Sequence, residues 1–149
     1  MHRFIPIFLV IILSTILVKI EQVEGGVGLY LADNFDFKCR PDLVFSCTEC
    51  AESLFVEINR PKEKNIIVGV VYRPPNQKLQ NFMNSLDLLL ASISKENKIC
   101  YVVGDWNLDL IKHHCHKSTG EFLEIMYSRM FFSVDHTSDK VNFYHGYAN

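Results

Sequence analysis

An aspartate and an asparagine stand two residues apart in Gly104-Asp105-Trp106-Asn107, directly after the apolar run Ile99-Cys100-Tyr101-Val102-Val103. Just past a buried strand, such a pair points out of the sheet's edge, where ligands of α/β sheets usually bind. A carboxylate there can take a proton from an attacking water, and a carboxamide can hold a phosphate oxygen or orient that water. The same residue types are also favoured in plain turns. On spacing alone the turn is the better-supported reading. Tyr72-Arg73-Pro74-Pro75-Asn76 closes a second apolar run. A tyrosine hydroxyl at a strand end can donate to a phosphate, with Pro-Pro fixing the loop around it. Taken alone, this segment reads more simply as a strand stop with a half-buried Tyr72.

Two clusters of soft ligands carry less. His113-His114-Cys115-His116 cannot all face one metal, because adjacent side chains diverge, so a polar surface loop is favoured over a zinc site. Cys47-Thr48-Glu49-Cys50 has the C-x-x-C spacing, but no second pair follows, and the two read as incidental thiols.

The elements that must position these groups are legible from periodicity. Gly26 to Ala32 is a short apolar run opened by glycines, and Ser53 to Ile58 alternates imperfectly; both predict strands. Ile66 to Tyr72 is β-branched almost throughout, as in a central strand buried on both faces. Arg60 to Asn65 between them is a charged, hairpin-like turn, and Asp33 to Pro41 is polar and turn-rich. Leu79, Phe82, Leu86, Leu89, Leu90 and Ile93 recur at spacings of three and four, which is one face of a helix. A second helix is expected from Ser118, in a capping box with Glu121, with Phe122, Leu123, Met126 and Met130 facing inward. The order predicts an α/β (α+β) sheet with helices on an outer face, one layer of a larger structure.

The first 24 residues read differently. Met1-His2-Arg3 is a short basic cap, and Phe4 to Val18 is apolar apart from Ser14 and Thr15. That length is short for a spanning helix but fits the apolar region of a signal peptide, with a tolerable cleavage site at Val23-Glu24-Gly25. Residues 1–24 are therefore expected to be a signal peptide or membrane anchor, in an apolar helix, outside the fold formed by residues 25–149. Five cysteines, an odd number, fit a secreted disulfide framework poorly. A formal net charge of −2 excludes the broad positive footprint of a tight sequence-independent DNA-binding module, though not an enzyme that touches a few phosphates.

Five segments in order change the weight of the strand-end residues. Gly-Gly-Val-Gly-Leu-Tyr, Glu-Ser-Leu-Phe-Val-Glu-Ile, Val-Val-Tyr-Arg-Pro-Pro-Asn, Gly-Asp-Trp-Asn-Leu-Asp and Glu-Phe-Leu-Glu-Ile-Met-Tyr together resemble the endonuclease domain of LINE-type non-LTR retrotransposons. That domain belongs to the DNase I-like endonuclease/exonuclease/phosphatase superfamily, and the resemblance runs from about residue 25 to 132. It implies a four-layer αββα sandwich, of which this chain would hold part, and Mg²⁺-dependent cleavage of DNA phosphodiesters. By that resemblance Asp105 orients the water, Asn107 is its partner and Tyr72 is the active-site tyrosine. Trp106 replaces another bulky apolar residue, a mild departure, and Asp109 is given no role.

Three of the family's features are not matched, the first being a strand ending in Asn well before the Gly-Gly-Val-Gly strand. Its metal-binding Glu belongs well before the Gly-Gly-Val-Gly strand; Glu21 and Glu24 stand too close to that strand, and Glu57 matches a non-catalytic position. Its Ser-Asp-His segment belongs many tens of residues beyond Asp105, so Val134-Asp135-His136 is read as a coincidence. The resemblance thus implies an endonuclease domain truncated at both ends. Mg²⁺ should bind poorly, useful cleavage of DNA is not expected, and the product should aggregate or order only partly. Two other readings stand beside it: a small secreted or membrane-tethered binding protein on the same sheet, and a pseudogene fragment without function. DNA is the implied partner, membrane contact would run through the N-terminal segment, and no protein partner is implied. The N-terminal segment points to the secretory pathway or a membrane, the ancestry to the nucleus.

Overall fold

The computed structural model describes residues 18–20, 27–31, 33–110, 116–133 and 142–145. In chain order the elements are β1 (Val18–Ile20), β2 (Leu29–Leu31), β3 (Phe37–Cys39), β4 (Glu52–Ile58), β5 (Ile66–Tyr72), α1 (Leu79–Lys95), β6 (Ile99–Asp105), α2 (Lys117–Ser128), β7 (Phe131–Ser133) and β8 (Asn142–His145). Six strands form one mixed sheet in the order β3-β4-β5-β6-β8-β7. β5 and β6 are parallel, with α1 as their crossover, and the other neighbours are antiparallel. β1 and β2 form a separate antiparallel pair. The architecture is α+β, a mixed six-stranded sheet with both helices packed on one face.

Alternation along the central strands sorts side chains into two cores. Ile67, Val71, Cys100 and Val102 face the helices and pack with Phe82, Leu86, Leu90 and Ile93 of α1 and Phe122 and Met126 of α2. Val56, Ile58 and Val68 face the other way and are covered by Leu29 and Leu31 of β2. The sheet is thus sandwiched between helices and a β ribbon over β4 and β5. Toward the β7 edge, Tyr101 and Phe132 stay about 40% and 45% exposed. At Gly69, opposite Phe55 across β4–β5, an added Cβ would lie 2.1 Å from the Phe55 ring, so the strand tolerates only glycine there.

Several expectations are corrected. Asp33 to Pro41 is not wholly turn: Phe37–Cys39 is an edge strand on β4. It was hidden because three residues with Lys38 and Cys39 exposed carry almost no periodic signal. The Ser118–Glu121 capping box does not form. The helix starts at Lys117 with His116 as its N-cap, whose carbonyl accepts from the N–H groups of Thr119 and Gly120 without any side-chain cap. Met130 is about half exposed rather than inward. Cys47 and Cys50 are not incidental thiols but a disulfide; a tight turn, closed by the Cys50 N–H on the Cys47 carbonyl, brings their Cα atoms to 5.4 Å. Val18–Ile20 pairs with β2 although it falls within the expected leader. The expected N-terminal helix, the Val134-Asp135-His136 segment and residues 113–115 of the histidine cluster lie outside the described residues.

Both long helices stop on residues with positive φ, Asn97 at 52° and Met130 at 63°. Asparagine tolerates this left-handed geometry; methionine, with its Cβ, does so at a cost. Met130→Gly should therefore raise stability by about 1 kcal/mol, read as a higher urea midpoint at unchanged slope. A lower midpoint would show that the exposed methionine contributes more through packing than its backbone costs.

Candidate active site at the ends of the parallel strands

The parallel pairing of β5 with β6 places Tyr72 opposite Asp105, each the last residue of its strand. On the other side β4 runs antiparallel and places its first residue, Glu52, opposite Tyr72. A carboxylate, a phenol and a second carboxylate therefore stand in one row across three strands. By strand alternation they lie on the face away from the helices. The structure thus brings together two of the three residues expected from the sequence, and adds Glu52 to them.

Asn107 lies just beyond the row, on the loop after β6, and its φ of 47° suits asparagine better than any other residue with a Cβ. Its side-chain Nδ2 donates to the Arg73 carbonyl at 2.6 Å, and its backbone N–H donates to Asp105 Oδ1 at 3.3 Å. One amide proton of Asn107 is therefore spent on latching the two strand-end loops together. Its side-chain carbonyl and second amide proton remain for a ligand.

Arg73 completes the latch from the other loop. Its guanidinium donates from Nε to the Trp106 carbonyl at 2.7 Å and from Nη2 to the Asn107 carbonyl at 3.0 Å. Nη1 makes longer contacts of 3.4 Å with the carbonyls of Pro74 and Gln77. The Arg73 N–H also donates to the Asp105 carbonyl at 2.9 Å. The side chain is almost fully buried, and its charge sits 5.7 Å from the Phe82 ring centre. Burial lowers the Arg73 pKa from its ordinary value, yet a guanidinium stays protonated and keeps its fork of donors.

Trp106 serves as a bulky apolar anchor, as expected of that position. It is fully buried on the helix side and contacts the rings of Phe82, Phe122 and Phe143 at 5.1–6.3 Å between centres. Gly104 makes room for it: a Cβ there would lie 2.7 Å from the indole. The Gly-Asp-Trp-Asn segment is thus anchored inward by Trp106 and clamped sideways by Arg73, which holds Asp105 and Asn107 at the edge. Of the remaining sequence candidates, Asp109 is exposed beyond the strand end and His116 is the exposed N-cap of α2. Glu57 is buried at the opposite end of β4, far along the strand from the row. Arg73 and Glu52 were missed by sequence reasoning. Arginine at a loop start ordinarily reads as solvated, and Glu52 gains meaning only from register.

No family model matches the chain, and no curated protein sequence matches it either. Solved structures do. The endonuclease domain of TRAS1, a telomere-specific non-LTR retrotransposon, superposes with a TM-score of 0.62 at 10% identity, over 78% of this chain and 58% of that one. The human Nocturnin catalytic domain with bound sulfate gives 0.47 at 12% identity, over 77% and 50%. The chain thus spans little more than half of the first structure's length. At such identity the likeness to the first shows the fold.

Proposed function

We propose that this chain is part of a DNase I-like phosphodiesterase acting on DNA, with Tyr72, Asp105 and Asn107 as residues of its site. The observation that supports this most directly is the row at the parallel strand ends, where Tyr72 and Asp105 are held in register by a loop latch. In the reaction the oxygen of a water attacks phosphorus, the bond to the leaving oxygen breaks, and Asp105 takes the proton that the water gives up. The Tyr72 hydroxyl donates to a non-bridging phosphate oxygen. Asn107 offers its carbonyl and remaining amide proton to the water or the phosphate.

The resemblance implies Mg²⁺, and the donor set fits a hard cation. Asp105 supplies one carboxylate, and Glu52 supplies a second whose Oε2 is buried without a hydrogen-bond partner. When bound, Mg²⁺ would neutralise phosphate charge at this edge. The family's Ser-Asp-His segment has no match in the sequence, so the chain alone is expected to nick supercoiled plasmid only at a trace rate. Asp105→Ala should lower that rate by a further ~10²-fold. A rate indifferent to the substitution would sink the assignment of Asp105. Robust wild-type nicking would show that the site works without the unmatched segment.

A second reading, a secreted or membrane-tethered binding protein on the same sheet, is favoured by the Cys47–Cys50 disulfide. Disulfides persist in oxidising compartments and are rare where thiols are kept reduced. A mature N-terminus near Gly26 in secreted material would support this reading.

A further inference from the structure

β4 carries two acidic side chains that reach the interior, and their treatment differs. Glu57 is met by Arg40, Asn65 and Lys98, so both its oxygens have charged or amide donors. Glu52, at the other end of the strand, has an Oε2 that is shielded from water and meets no donor; it is the one such side-chain atom among the described residues. Carboxylate oxygens are seldom buried without a hydrogen-bond donor or a cation to receive them.

The surroundings of Glu52 say which. Cys50 and Ala51 are buried in the helix-side core, and the Cys47–Cys50 disulfide closes the turn before them. The backbone entering β4 is thereby pinned, and although Glu52 as a whole is part-exposed, its Oε2 is shielded from water. Register sets it opposite Tyr72, which is in turn opposite Asp105. Strands lie about 4.8 Å apart, so the two carboxylates stand on strands roughly 10 Å apart with the phenol between them. No lysine or arginine belongs to this row. All three side chains offer oxygen, which is the donor set of Mg²⁺ and Mn²⁺ rather than of zinc or copper. Among the described residues no group of three or more His, Cys, Asp or Glu gathers into a closed cage. Two carboxylates alone would therefore leave water and substrate phosphate to fill the other positions around Mg²⁺.

We propose that Glu52 is the divalent-cation carboxylate of this edge, with Asp105 as the second acid of the same site. This rests on the phosphodiesterase reading for its substrate, though cation binding itself can be measured without one. The assignment gives the chain a metal carboxylate at a position other than the early one that the family resemblance calls for.

The test is Mn²⁺ binding to the full chain without nucleic acid, followed by the electron paramagnetic resonance of free Mn²⁺ and by competition with Mg²⁺. The wild-type chain should bind Mn²⁺ saturably below about 10 mM, and Glu52→Gln, which keeps the shape but not the charge, should weaken binding at least ~10-fold. The exposed-site control Glu63→Gln should bind as the wild type does. Equal affinity in Glu52→Gln, or no saturable binding by the wild type, would overturn the proposal. Should Glu52→Gln lose its fold by circular dichroism, Tb³⁺ luminescence of wild type against Tyr72→Phe decides instead. Emission that Mg²⁺ displaces and that drops in Tyr72→Phe puts the ion beside this row, and emission unchanged by the substitution removes it. A chain that binds Mn²⁺ through Glu52 but never nicks DNA retains the cation site and loses the nuclease reading. Asp105-dependent nicking with Mn²⁺ binding unaffected by Glu52→Gln does the reverse.

Discussion

Arg73→Ala should destabilise the chain by about 3 kcal/mol and abolish whatever nicking or cation binding the strand-end row supports. The size follows from what the guanidinium does. Two short hydrogen bonds from a buried charge reach the Trp106 and Asn107 carbonyls, and truncation leaves both without a donor in a site that water enters poorly. Charge-assisted bonds of this kind contribute about 1.5–3 kcal/mol each before the partner's desolvation is counted. Loss of the contact with Phe82 adds roughly a further 1 kcal/mol. Local relaxation offsets part of this total. Arg73→Lys is the informative companion, because one ammonium cannot span both carbonyls as the planar fork does. It should retain less than half of the lost stability in urea unfolding. A lysine variant as stable as the wild type would show that charge, rather than the fork, holds the loop.

How much of this was legible beforehand depends on the range of the interaction. The α1 face, β4, β5 and β6 were readable because their patterns repeat over seven or more residues. The strand ends carrying Tyr72 and Asp105 were readable for the same reason: a run of β-branched residues stops, and turn residues follow. Asn142–His145 was not, since four residues are too few to show a period, and its insertion between β6 and β7 is a long-range choice. Arg73 was invisible because its acceptors are carbonyls 33 and 34 residues away, and composition does not encode which loop closes on which. Trp106 looked interchangeable with other apolar residues, yet the gap opened by Gly104 and the three surrounding aromatic rings suit the indole. Glu52 shows the same limit from another side. Its type was plain, but its place beside Tyr72 depends on a hairpin register that the charged turn at Arg60 to Asn65 sets only approximately.

The other large effect lies at the far end of the sheet. Glu57 joins Arg40 on the loop before β4, Asn65 just before β5 and Lys98 just before β6, while Glu96 bridges the same two cations. Burial pushes the Glu57 pKa up, but the hydrogen bonds from Asn65, Lys98 and Arg40 outweigh it and hold the group at about 2, against an ordinary 4.5. Glu96 is lowered as well, chiefly by its hydrogen bond from Arg40, and Asp87 by its bond from Arg129. A carboxylate whose folded pKa lies below its unfolded one contributes stability that is fully present above the unfolded value. That contribution is lost as pH falls through the folded value. For Glu57 the window runs from about 4.5 down to about 2, and the shift corresponds to on the order of 3 kcal/mol. Glu57→Gln should therefore be less stable than the wild type at pH 7 by about that amount, because removing one partner of a buried charge cluster strands the others. The two unfolding free energies should converge as the pH approaches 2, where the wild-type group takes up its proton. Urea titrations of both proteins between pH 7 and pH 2 make the comparison. Parallel curves across that range would mean that Glu57 contributes through packing alone, and convergence would mean that its charge pins β4, β5 and β6 together at the end opposite the candidate site.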